Sequence, residues 1–392
     1  MSFSRLTKLC HHHHHYTHAI APRVSRILFN FNKNRSISLI SRLKSDTHHV
    51  LQRSEQQKRP SFTTSPYNEA LKRIKSQAKL VGKISGYTVL SVTAAVAFIW
   101  QLSHWYIEYF LESTPPELGY QARNLLHGAH VREKMVPDYE IAAFYVKEAL
   151  RIALEEKQLD EHSMTVIQLR LRLAFDEAHA GNLLDAITQY TRAWKLMLDK
   201  KEDSILLVET AKSIGDLYLR IQDEEHAEEF LAWALYRSNE LQSKEGSILH
   251  SKILLTLASL YAIQHQFELA LPLLTESLKI LPEEAVCLKA IVQNQLSEVM
   301  YGLGKVDASM GWAQASLNSS AKDTKNRDCL ECGGVAANNL GKLLELKGDF
   351  KQAIEYYNQA VIYASSIHDS TSYNSYLLNL ERVQEVSVHE KI

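Results

Sequence analysis

Residues able to do chemistry are few, and the best placed are Cys329-Leu330-Glu331-Cys332. A CxxC is the spacing of a redox dithiol or of half a zinc site. A structural zinc site needs a second pair, and Cys10 and Cys287 do not make one. Redox CxxC motifs usually open a helix after a strand, a setting absent from a chain with helical periodicity throughout its body. A spacing of three also puts both cysteines on one helix face, where they can act as small core residues. Packing, a disulfide or redox switch, and metal binding stand in that order. His11 to His15, with His18, could grip a transition metal, but a simple repeat explains the run better. His127, His130, His162, His179, His226, His250, His265 and His368 show no ligand pairing. No phosphate-binding loop, dinucleotide fingerprint, HExxH or nucleophile elbow occurs. The chain reads as a non-enzyme without cofactors, with a thiol oxidoreductase using Cys329 and Cys332 as the remaining enzyme class.

The elements around the CxxC are helices that repeat. Past Pro116 the apolar residues recur at helical spacing, with almost no alternation of the kind strands show. Pairs of small residues seven apart return along the body: Ala142/Ala149, Ala186/Ala193, Ala227/Ala234, Ala270/Ser277, Ser309/Ser316 and Ala353/Ala360. The intervals between first members run from 39 to 44 residues. In the clearest copy, NNLGKLLELKGDFKQAIEYYNQA (338–360), Leu340 and Gly341 belong to a first helix, Gly348 and Asp349 turn the chain, and Ala353, Tyr357 and Ala360 share one face of a second. A last stretch carries Tyr373, Tyr376, Leu377, Leu380 and Val383 on one side, as a capping helix does.

This pattern resembles the tetratricopeptide repeat, whose ordinary unit is about 34 residues. The resemblance implies an all-α solenoid of about six helical hairpins plus a capping helix, over residues 117–386, with 387–392 as a tail. It also implies a concave groove lined by the first helix of each repeat, which puts Gln168, Arg172, Lys212, Arg220, Asn294, Asn338, Asn339 and Lys342 toward a bound, extended peptide.

Ahead of the body the charge is lopsided. Residues 1–83 carry 16 Lys/Arg against 3 Asp/Glu, and the remainder 28 against 42. An acidic body argues against a nucleic-acid partner, whose binding domain should itself be basic. Residues 1–65 have the Arg- and Ser-rich, acid-poor composition of a mitochondrial transit peptide. From Ile84 to Ile107 there is no Asp, Glu, Lys or Arg, enough for about 20 apolar residues to span a bilayer. A transmembrane helix is expected over 84–110, behind a basic segment, 66–83. Lys72, Arg73, Lys75, Lys79 and Lys83 lead in, while Glu108, Glu112 and Glu117 lead out. The positive-inside rule then puts the N-terminus in the matrix and the repeats in the intermembrane space of a single-pass inner-membrane protein.

Leader, single helix and acidic repeats together, with ELGYQARNLLHGAHVREKMVPDYEIAAFYVKEALRIALEEKQLDE (117–161) and CLECGGVAANNLGKL (329–343) as the distinctive stretches, resemble the fungal inner-membrane adaptors of the i-AAA protease. That resemblance implies protein quality control, with the AAA protease and unfolded or misfolded substrate proteins as partners. A repeat protein supporting maturation of respiratory complex III is the alternative of similar layout. An outer-membrane import receptor fits less well. Its chaperone-docking form needs a two-carboxylate clamp, and here Lys212 is followed by Asp216 where the clamp wants Asn.

Overall fold

The uncharged stretch is helical, and its helix begins well ahead of it. Helix α1, Pro66–Tyr106, opens on a proline, placed where its missing N–H costs no hydrogen bond. The computed structural model describes residues 66–200, 205–241 and 243–389. The expected leader, with Cys10 and the histidine run, lies outside them, as do the last three residues of the tail. None of the 41 residues of α1 is buried. Among the described residues two helical stretches are long and apolar enough to cross a membrane: Pro66–Leu111, whose most apolar part has no burial, and Lys244–Ile263, whose most apolar part is 61% buried. Burial among other helices accounts for the apolar character of the second.

The chain divides into two compact units, with α1 in one and the chain from Ile107 onward in the other. The second unit holds six helical hairpins: α2 (Gly119–Lys134) with α3 (Tyr139–Arg151), α4 (Met164–Ala180) with α5 (Leu183–Asp199), α6 (Ile205–Arg220) with α7 (Glu224–Ser238), α8 (Lys244–Ile263) with α9 (Phe267–Ile280), α10 (Val286–Gly302) with α11 (Val306–Ser320), and α12 (Arg327–Leu346) with α13 (Phe350–Ser366). Helix α14 (Ser370–His389) closes the series. No strand occurs among the described residues. Each helix packs on the next, and the first helices of neighbouring repeats also touch, α6 on α8, α8 on α10 and α10 on α12. These first helices therefore form the inner face of an all-α, tetratricopeptide-like solenoid.

All twelve small residues of the repeat register are at most 1% exposed. Where serine replaces alanine, its hydroxyl finds a partner on a neighbouring helix: Ser316 donates to the Ala290 carbonyl at 2.8 Å and Ser277 to the Ser251 carbonyl at 3.3 Å. The facing position needs glycine for the same reason, since a Cβ at Gly341 would stand 2.8 Å from the Tyr357 ring. Helices of 13 to 20 residues make the repeats longer than the ordinary unit. The turn inside the hairpin recurs too. Gly181, Gln222, His265, Gly304 and Gly348 all have positive φ at equivalent positions, and Asp138, Asp223 and Asp349 cap the outer helices that follow. In α14, Tyr376, Leu380 and Val383 are buried on the last hairpin, as a cap requires.

Candidate functional site

The inner face carries the residues expected to line a groove, and most of them have partners within the fold. On α4, Gln168 is exposed. Arg172, one turn further, is gripped between two carboxylates: its Nε donates to Glu133 at 2.7 Å and its Nη1 to Glu112. Burial opposes the guanidinium's charge, and Glu133 and Glu112 more than restore it. Arg172 is thus an internal tie between α4, α2 and the segment before α2. Arg220 donates to the Ala178 carbonyl at 3.3 Å and caps the end of α4. Lys212 pairs with Asp216 at 2.5 Å, one turn along α6.

The asparagines correct the sequence expectation. Asn294, Asn338 and Asn339 are 1%, 1% and 4% exposed, and their amides join helices. Asn339 donates to Asn294 at 3.2 Å and to Glu298 at 3.3 Å, Asn294 donates to Glu298 at 3.0 Å, and Asn379 donates to Asn338 at 2.9 Å. An amide committed to a neighbouring helix is not presented to a peptide, because freeing it would leave buried polar atoms unpaired. Burial pushes the Glu298 carboxyl up to about 7 against the lowering influence of those amides and of Lys342. Lys342 is half-buried above the cluster, its ammonium held below the usual lysine range by burial and partly restored by Glu298.

One inner-face cation escaped the sequence reading. Lys252 on α8 is half-buried, in the same register as Arg172 and Lys212 and forty residues from the latter. Burial and the neighbouring Lys212 lower its pKa, while Glu209, Asp328 and Asp216 work the other way. The regular interval was the available signal, obscured because α8 otherwise reads as an apolar core helix. Lys212 and Lys252 make a cationic step on the inner face, with Gln168 exposed one repeat earlier.

Of the readings of the CxxC, core packing holds for Cys332, while Cys329 forms a disulfide with a partner other than Cys332. Cys329 is bonded to Cys287, with Cα atoms 4.7 Å apart, and Cys332 is a free, buried thiol. Cys287 and Cys329 both sit in the first turn of an inner helix, α10 and α12, which are neighbours. Adjacent repeats bring equivalent positions together; one turn of α12 takes Cys332 into the core instead. Burial pushes the Cys332 thiol up to about 11, leaving it without the thiolate that redox exchange requires. No group of three or more His, Cys, Asp or Glu among the described residues is arranged to hold a metal ion.

The acidic residues after α1 also do more than mark a boundary. Glu108 meets His127 at 2.8 Å and accepts from the Thr114 hydroxyl at 2.8 Å, Glu112 meets His130 at 2.7 Å, and Glu117 accepts from Thr165. These contacts fasten residues 107–118 onto α2 and α4.

No family model matches this chain, and no curated protein does either. Similarity appears among solved structures. The apo form of RapI aligns over 69% of this chain and 71% of its own, with 17% identity and a TM-score of 0.52. BtubC from P. vanneervenii aligns over 64% and 94%, with 18% identity and a TM-score of 0.46. The signal-transduction ATPase with a tetratricopeptide repeat sensor, PH0952 from Pyrococcus horikoshii, aligns over 71% of this chain and 42% of its own, at 13% identity and a TM-score of 0.48. What this chain shares with RapI is the helical-repeat fold.

Proposed function

We propose that this chain is a non-enzymatic scaffold of the mitochondrial inner membrane, held by α1, whose repeats in the intermembrane space bind substrate proteins and present them to the i-AAA protease. The observation that carries the anchored part is α1 itself. Val89, Leu90, Val96, Phe98 and Ile99 are each about three-fifths or more exposed, and such an apolar surface is stable where lipid covers it. The unbroken helix supports this, because only a fully hydrogen-bonded backbone tolerates hydrocarbon.

Two further features support the reading. The Cys287–Cys329 bond belongs to an oxidising compartment, which the intermembrane side supplies and the matrix does not. The repeat fold supports binding of protein segments, with Gln168 exposed on the inner face and Lys252 half-buried near the Lys212–Asp216 pair. The buried Cys332 and the pairing of Cys329 across repeats count against a thiol oxidoreductase. Purification of the full chain in mild detergent tests the assignment. Co-recovery of an AAA protease is expected; recovery of a respiratory complex without the protease would overturn it in favour of an assembly factor.

A further inference from the structure

Helix α1 is too long for its task as a span. Its 41 residues extend about 60 Å at 1.5 Å per residue, twice the bilayer core of about 30 Å. The surplus lies at the N-terminal end, residues 66–83, and it is patterned. Lys72, Lys75, Lys79 and Lys83 are spaced three, four and four apart, so an unbroken helix puts all four on one face. Tyr67, Leu71, Ile74, Ala78 and Val81 are spaced four, three, four and three and make an apolar stripe on the other side. Tyr67, Ile74 and Val81 are 71%, 62% and 61% exposed. A second observation marks the boundary between surplus and span. Gly82 and Gly86 bracket it, and a Cβ added to either would meet nothing within 4 Å. Glycine weakens a helix interior, which makes this a joint at which α1 can bend.

We propose that residues 66–81 form a second, surface-lying membrane helix that bends at the Gly82–Gly86 joint and seats on anionic phospholipid headgroups, lysines on the phosphates and the apolar stripe in the acyl boundary. A basic face beside an apolar one is the pattern of interfacial helices, and a cluster of lysines next to a span is drawn to anionic lipid. A second copy of this chain is the occupant that the apolar stripe alone would suggest. Charge decides against it, since pairing two such helices would gather eight lysines with Glu69 as the one acid each copy supplies over 66–83. The proposal rests on reading Ile84–Ile107 as membrane-crossing.

The full chain reconstituted in nanodiscs, of phosphatidylcholine alone or of phosphatidylcholine with about one-third phosphatidylglycerol, tests it by the rate of tryptic cleavage after Lys72, Lys75 and Lys79. Cleavage should slow about tenfold with anionic lipid, recover in high salt, and show no such slowing after Arg73, a site that remains in a K72Q/K75Q/K79Q variant. Equal rates in the two lipids, with the chain retained in both discs, would overturn the surface helix and leave the span intact. A chain that leaves phosphatidylcholine discs once detergent is removed would overturn the span and the surface helix together. Protection that needs an added acidic protein instead of anionic lipid would also overturn it.

Discussion

Arg172 shows how a side chain's role changes once its neighbours are known. In the sequence it is a cation on the inner face; in the fold it neutralises Glu112 and Glu133 between three segments of chain. Replacing it strands the buried Glu133 carboxylate, a situation that costs about 3 to 5 kcal/mol, while the partly exposed Glu112 keeps His130. Arg172→Ala should therefore lower the stability of the array by roughly that amount in urea unfolding, whereas a role confined to ligand contact would leave the midpoint where it was. Glu298 gives a pH prediction of definite sign. Its folded-state pKa, pushed up to about 7 by burial, lies above its value in the unfolded chain; Glu331 is raised to about 7 as well, by burial and by Asp369. The folded state thus holds protons that the unfolded state has released, so stability contributed at low pH declines as pH rises through the window from about 4.5 to 7. The melting temperature should fall between pH 5.5 and pH 7.5, and Glu298→Gln should flatten part of that slope. A melting temperature that rises over this interval would contradict the burial argument.

At the scale of elements, the hairpins were legible and their cross-links were not. Small residues seven apart can be recognised because packing two helices closely demands them locally, and all twelve proved buried. The capping helix could be read for the same reason. Polar partners are another matter: Arg172 meets a carboxylate 60 residues away, and His127 one 19 residues away. Such distances are closed by the stacking of repeats, which periodicity announces without saying which side chains come face to face. The disulfide falls between these cases. Cys287 and Cys329 are 42 residues apart, one repeat interval, and that equality was a usable signal; the closer CxxC drew attention away from it. Closing a 42-residue loop should stabilise the array by up to about 4 kcal/mol. Cys287→Ser, or reductant, should lower the urea midpoint accordingly, while Cys332→Ser should cost no more than an ordinary core substitution. Equal sensitivity to the two changes would mean that the bond does not staple α10 to α12 in solution.

For the whole molecule, the proposed function divides the labour between anchor and array: the repeats would supply contacts, and fixing them at a membrane would raise their effective concentration beside any partner there without a new contact. Binding energy would then reside in this chain and catalysis in the protease, so its loss should slow proteolysis without stopping it. The most direct test is the degradation rate of an unfolded intermembrane-space substrate in mitochondria lacking this chain, restored with either the native protein or a Lys212→Gln/Lys252→Gln variant. The account predicts slowed but persistent turnover without the protein, full recovery with the native chain, and poor recovery with the variant although it inserts and folds. Turnover that is the same in all three would contradict it.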